Sequence, residues 1–506
     1  MLKKIFHNIL IGFFLVYTFA ATAQSYSSTN NFLKKKFNVN FCENFDGVLK
    51  FTVNKSSYYK NSNHGLILVS DDTLEVRERV VLNQFDGNDI RLLKSFSIGD
   101  NWVIVSAYFS KNHKEEYVYL QIINSKGEKV TDKKKIFQIS TNKKLEDNTY
   151  KFAQSENRAR FVVLAQSKRQ THLDSLVFWI KAFDNSLNEI SSDSNSFGKN
   201  MIHAEIKDVS LSNSNNIYLL GEELYDADEY NVAVVFRKHY ELFAYSHNRM
   251  NLFRKQVIIE DKFINSMVFT LVNDSLYLGG YYSKLGFSTI EGAFSMRYAN
   301  DSLKLNSITK FPYSLIKQYP IKNYIEDRFY GEMFRFTAQS MEIDSCGNVY
   351  IIGQKIDKTI FFGSERQKGS LYDYVNTAIY NFSDVLLFKI QKDSSWYNII
   401  KKYSSKVYGY GPHTVNPYTY SFTNDKFYFL NNIKKSIDGS TTGKLLYKVQ
   451  LLKIDTKGKR EAIKEIDGIY SITNYRGNIE SFHGSMYILV RVPHGEREGR
   501  IVKISL

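Results

Sequence analysis

Tyr319, Tyr324, Arg328 and Tyr330 fall in one stretch of this sequence, Arg366, Tyr372 and Tyr374 in a second, and Tyr408 and Tyr410 in a third. Rigid aromatic rings beside fixed cations suit recognition, because the ring faces bury apolar area while the cations meet acidic groups or sugar hydroxyls. Tyr408, Tyr410, His413 and Arg335 are also the residue types that polysaccharide hydrolases and lyases gather, although no linear motif joins them here. Asp226 and Asp228, in the acidic run Glu222–Glu229, could offer alternate oxygens to Ca²⁺. The twelve-residue calcium-loop pattern and its glycine are missing, so we assign no metal.

Other chemistry is absent at the level of spacing. The ten histidines include no His-x-His and no His-Glu-x-x-His pair, which leaves zinc without a local signature. Gly439-Ser-Thr-Thr-Gly443-Lys444-Leu445 mimics a phosphate loop. It is one residue short between its glycines and lacks the hydroxyl residue after lysine. No Gly-x-Ser-x-Gly elbow occurs. We therefore assign no catalytic residue and no cofactor, and read binding ahead of catalysis. A polysaccharide-binding or polysaccharide-degrading protein is the alternative.

The elements that must position these residues are strands. Proline is scarce at five, while tyrosine and phenylalanine number 36 and 37. Apolar runs such as Trp102-Val-Ile-Val and Phe161-Val-Val-Leu are short and β-rich, and no long helical stripe follows the first 23 residues. One phrase recurs: a polar turn, then two apolar or aromatic residues opening an apolar run. Its second apolar position falls at Leu49, Val103, Val162, Tyr218, Tyr277, Tyr350, Tyr428 and Tyr487. Each unit continues with a second strand, a tight polar turn and a third, and the strand before the marker makes four. This predicts an all-β chain forming a single β-propeller of eight blades, or seven if the first unit is an appendage. The last unit lacks its fourth strand. Phe32–Phe41 is expected to supply it and close the ring.

Asp344-Ser-Cys-Gly-Asn-Val-Tyr-Ile-Ile-Gly353 resembles the Asp-x-x-Gly-Asn-x-Tyr-x-x-Gly signature of the bacterial β-propeller repeat family, with partial copies at 213 and 273. The resemblance implies a propeller in an exported or surface protein and implies no activity. The Ala-Gln junction at 23–24 and the Lys/Asn/Tyr-rich composition also resemble exported Bacteroidota proteins.

Residues 1–23 read as a signal peptide: Lys3 and Lys4, an apolar stretch, then Ala21-Thr22-Ala23. Residues 24–506 are expected to form the propeller, with no transmembrane segment in the mature chain and with the periplasm as its location ahead of the medium. Of the two cysteines, Cys42 and Cys346, we expect buried free thiols. The formal charge of +15 favours an acidic envelope surface or partner, while location disfavours nucleic acid. Antiparallel strands put the links between units and the loop between second and third strands on one face. Three long insertions, 313–333, 354–383 and 401–417, are expected to cluster there. The predicted role is a scaffold docking an envelope protein, such as an outer-membrane secretion, uptake or surface-assembly complex, through Tyr319, Tyr324, Arg328, Tyr330, Arg366, Tyr372, Tyr374, Tyr408 and Tyr410.

Overall fold

All eight marker residues lie in the second strand of a sheet, and the eight sheets follow one another along the chain. The structure is a computed structural model. It describes strand backbones from Tyr26–Ser28 to Gly499–Ser505, and side chains chiefly within 90–356, 383–400, 420–430 and 449–461. Sheet 1 spans Phe37–Phe45 to Val76–Leu82, sheet 2 Arg91–Ile98 to Lys134–Ser140, and sheet 3 Tyr150–Gln154 to Glu189–Phe197. Sheet 4 spans His203–Leu211 to Leu252–Gln256, sheet 5 Phe263–Val272 to Ser302–Lys310, and sheet 6 Phe336–Ile343 to Trp396–Ile400. Sheet 7 spans Thr419–Thr423 to Arg460–Ile466, and sheet 8 Ile479–Phe482 to Gly499–Ser505. Six sheets have four antiparallel strands in chain order, sheet 6 has a fifth strand attached, sheet 8 takes its fourth strand from the start of the chain, and Thr289–Ile290 with Met333–Phe334 form a separate two-stranded sheet.

The closing strand is not the one expected. Phe37–Phe45, which overlaps the expected Phe32–Phe41, is the first strand of sheet 1, paired with Val48–Lys55. The fourth strand of sheet 8 is Tyr26–Ser28, paired antiparallel with Val502–Ile504. The apolar alternation of Phe37, Val39 and Phe41 identifies a strand but not its partner, since hydrogen bonding along a ladder is not sequence-specific.

The cores lie between sheets. Five buried clusters join sheets 2 and 3, 3 and 4, 4 and 5, 5 and 6, and 6 and 7 in turn. Strand periodicity explains the arrangement: Phe161, Val163 and Ala165 face sheet 2, while the alternate Val162 and Leu164 face sheet 4. A second strand buried on both sides therefore reads as an unbroken apolar run, as Arg160–Gln166 does. The first strands of successive sheets lie against one another at 1–2, 2–3, 3–4, 5–6 and 7–8, and the first strand of sheet 8 against that of sheet 1.

Two irregularities recur. A register shift inserts one extra residue into the first strands of sheets 1, 2, 4, 5 and 6, at Cys42, Leu93, Lys207, Asn265 and Gln339. A second shift sits in the outermost strands of sheets 1, 2, 3, 5 and 7. Bulges of this kind bend a strand and make an exposed edge a poor template for foreign strands.

Candidate functional site

In each antiparallel sheet the second-to-third connection and the outgoing link leave at the same end. Among the carboxylates at that end, Glu116, Glu222 and Glu291 are buried and Asp384 is half-buried. Glu116, which is 1% exposed, opens the third strand of sheet 2 and is paired with Arg91. Its second oxygen accepts the Leu145 N–H at 2.6 Å, and Arg91 donates to the Leu145 carbonyl. Both polar groups of one peptide in the link to sheet 3 are thus held by a single ion pair.

Glu222 does the same work within sheet 4. Lys207 and Lys238 stand 3.6 and 3.3 Å from its oxygens, and the Tyr240 hydroxyl donates at 2.7 Å. Burial acts to raise the Glu222 pKa. The charges of Lys238 and Lys207 and the Tyr240 hydrogen bond overcome it, holding the carboxyl below its usual range. Burial acts to lower Lys207, and Glu222 and Glu205 reverse that as well. In sheet 5, Glu291 bridges Lys262 at 2.7 Å, just before the first strand, and Lys310 at 2.8 Å, the last residue of the fourth. In sheet 6, Asp384 accepts the Tyr319 hydroxyl, and Lys355 lies 5.7 Å from the centre of the Tyr319 ring.

Glu116, Glu222 and Glu291 thus sit in ion pairs. A general acid or base needs a pKa near the working pH, whereas Glu222 and Glu291 are held down and Lys207 and Lys310 are held up. The one described carboxyl pushed upward is Glu342, raised by burial against a hydrogen bond from Tyr420 at 2.6 Å. It sits at the other end of sheet 6, next to the turn at Asp344–Asn348. Among the described residues, three or more metal-ligating side chains nowhere come together.

The insertions are more regular than loops. The second and third strands of sheet 6 run 15 and 16 residues, Val349–Gly363 and Val375–Ile390, against 7 to 10 in the second and third strands of the other sheets. The expected loop 354–383 is therefore mostly a two-stranded arm, paired from Ile356↔Phe382 to Gly363↔Val375. Ser405–Tyr408, inside the expected loop 401–417, adds a third strand along Ile379–Phe382. The insertion at 313 opens with a short helix, Tyr313–Ile316, and Met333–Phe334 at its far end pairs with Thr289–Ile290, in the second-to-third connection of sheet 5.

Tyr319 is corrected from a surface contact to a core residue: it is 7% exposed and packed edge-on against Phe336. Among the described residues of that link, Tyr313 is exposed, at 63%. Tyr408 ends the added strand of the arm. Asp226 ends the second strand of sheet 4 instead of lying in a loop, and Glu222 and Glu223 before it are buried. Tyr324, Arg328, Tyr330, Arg366, Tyr372, Tyr374, Tyr410, Asp228, Arg335 and His413 lie outside the described residues, as does 1–23. Cys346 is exposed in its turn, contrary to the buried thiol expected. The carboxylates Glu116, Glu222, Glu291 and Asp384 are not legible as a set because they lie far apart in sequence. The one available signal was an acidic residue directly after an apolar run, as in Leu219-Leu220-Gly221-Glu222.

Among the described residues no helix is long and apolar enough to cross a membrane. No family model matches the chain, and no curated protein matches it. Several solved structures are similar to it. The β-propeller domain of the trilobed protease from Pyrococcus furiosus is 12% identical with a TM-score of 0.35, over 88% of this chain and 98% of that one. An acylaminoacyl peptidase from Pyrococcus horikoshii is 10% identical with a TM-score of 0.35, over 90% of this chain and 59% of that one. An α-L-arabinofuranosidase from Fusarium graminearum is 9% identical with a TM-score of 0.31, over 65% and 91%.

Proposed function

We propose that this chain is a closed, eight-bladed β-propeller that serves as a non-catalytic scaffold of the cell envelope, docking a protein partner on the face that bears the arm. Closure is supported by the pairing of Tyr26–Ser28 with the last strand, and by the approach of the first strands of sheets 8 and 1. The periplasmic location rests on the sequence of residues 1–23 and on the resemblance to exported repeat proteins.

The observation that carries the binding role is the arm. Residues 356–363, 375–382 and 405–408 form a three-stranded extension of sheet 6, on the same end as the exposed Tyr313. Long, ordered insertions on a rigid scaffold are disproportionately functional. At that end Glu116, Glu222 and Glu291 are each ion-paired, which favours a stiff docking face over acid–base chemistry.

The test is a pull-down from native envelope membranes with the full chain and with a variant whose residues 357–381 are replaced by an Asn-Gly turn. A stoichiometric protein captured by the first and lost by the second is the expected result. Retention only on envelope polysaccharide favours the glycan-acting alternative. Capture of neither overturns the scaffold reading.

A further inference from the structure

As far as Lys355, the second strand of sheet 6 is paired on both sides, with Phe336–Ile343 and with the third strand. From Ile356 to Gly363 the pairing continues on one side alone, and among the described residues no strand pairs with the other edge. Among the described residues this stretch of eight is therefore an open edge, about 26 Å long at ~3.3 Å per residue. Apart from Lys358, the usual means of blunting an edge are missing from it. It has no proline, its register is unbroken from Ile356 to Gly363, and its two charges, Asp357 and Lys358, cancel beside Thr359, Ile360, Phe361 and Phe362. Five outermost strands elsewhere in the chain carry bulges. The arm's opposite edge has already taken an extended segment, Ser405–Tyr408 of the chain's own link.

We propose that the edge Ile356–Gly363 binds an extended segment of a partner protein as an added β-strand. The proposal rests on the binding reading above and names the chemistry of the partner: a single extended, β-prone stretch held chiefly through its backbone. A second copy of this chain is the weaker occupant. Eight residues a side fall well short of the ~20–30 that a stable protein interface uses, whereas a peptide strand needs no more than the edge itself.

The probe is a fluorescent peptide copying residues 375–382 (Val-Asn-Thr-Ala-Ile-Tyr-Asn-Phe), a sequence that this chain already pairs with Ile356–Gly363. Saturable binding to the full chain below about 1 mM is expected. Peptides N-methylated at alternate residues discriminate the mode. One alternate set should lose at least tenfold in affinity and its complement should bind normally, because only every second N–H faces the edge. Thr359→Pro and Ile360→Pro, made separately, keep the test independent of folding. One should abolish peptide binding while amide exchange along Val375–Phe382 stays protected. No saturable binding, or equal loss from both N-methylated sets, overturns the proposal. An arm-dependent envelope partner captured by a chain that ignores the peptide would retain the scaffold reading and remove strand addition.

Discussion

Asp274, in the first turn of sheet 5, accepts the backbone N–H groups of Asn213 and Ser214, in the equivalent turn of sheet 4, at 2.6 and 3.1 Å. Asn213 in turn accepts the Asn157 N–H from sheet 3 at 2.9 Å. Asp425 of sheet 7 reaches Ser345 of sheet 6 in the same way. In both cases the carboxylate stands second in an Asn-Asp pair with positive φ at both residues, 47° and 60° in one turn and 50° and 53° in the other. That geometry is the two-residue hairpin turn whose twist matches the flanking strands. The turn thus closes one sheet while its aspartate fastens the sheet before it.

Asp274→Gly separates the two roles, since glycine keeps the positive φ and loses the carboxylate. The variant should lose about 1–3 kcal/mol, the range for hydrogen bonds to a charged acceptor. Urea unfolding at pH 7 measures this, and an unchanged midpoint would show that the inter-sheet bonds contribute nothing net. Adding Asp425→Gly should lower stability further by a nearly additive amount, because the sites share no partner.

Breaking the Arg91–Glu116 pair should cost more. Both side chains are buried, so Glu116→Gln or Arg91→Met leaves one charge uncompensated, at about 3–5 kcal/mol. Hydrogen exchange at Leu145 should speed up in either variant, since its amide is held by Glu116. The double variant Arg91→Met/Glu116→Leu should recover part of the loss.

Acid should destabilise both ends of the sheets. Glu222 and Glu291 have folded pKa values below 4.5, and Asp344 and Asp184 below 3.8. Groups lowered on folding give stability that is present above the unfolded values and lost as pH falls through the folded ones. Thermal midpoints should therefore fall steeply below about pH 4. Glu222→Gln should be less stable than the parent at pH 7 and converge with it at low pH.

Glu342 runs the other way. Its folded pKa is raised above 4.5, so its contribution is full below that value and declines as pH climbs through the folded value. Glu342→Gln keeps an oxygen for the Tyr420 hydroxyl and removes the titration. Its thermal midpoint should exceed the parent's at pH 7 and lose that advantage near pH 4. A variant less stable at both pH values would show that the carboxylate makes contacts of its own.

Gly458 lies in the turn between the third and fourth strands of sheet 7, against Trp396 of sheet 6. Its φ is +83°, and a Cβ there would stand 2.8 Å from the Trp396 ring. Trp396 donates to the Thr456 carbonyl at 3.1 Å and Asn398 to the Gly458 carbonyl at 2.7 Å. Gly458→Ala should displace the turn, red-shift the Trp396 emission and cost about 1–2 kcal/mol. Unshifted emission in a background lacking Trp102 and Trp179 would contradict this.

Much of the architecture was legible because it is written in local pattern. Second strands packed on both sides need apolar residues at every position, and hairpins need turn residues, so the markers from Leu49 to Tyr487 all fell in second strands. The Asp344 turn was legible for the same reason. Its carboxylate accepts the N–H groups of Cys346 and Asn348 and the Tyr350 hydroxyl, with Gly347 at a φ of +81°. The arm was hidden. Gln354–Ser383 has no strong alternation, and its strands are held by backbone pairing that any non-proline sequence can supply.

By itself, then, the amino-acid order determined the strand class, the unit length and the turn chemistry, because these depend on residues within a few positions of one another. Partners distant in sequence were decided only by the tertiary structure. It selected Tyr26–Ser28 over Phe32–Phe41 as the last strand, drew Tyr319 inward onto Asp384, and gathered Lys207 and Lys238 about Glu222. The physical reason is that a backbone ladder and a buried charge each accept any partner of the right geometry, and geometry is fixed only once neighbouring sheets have packed.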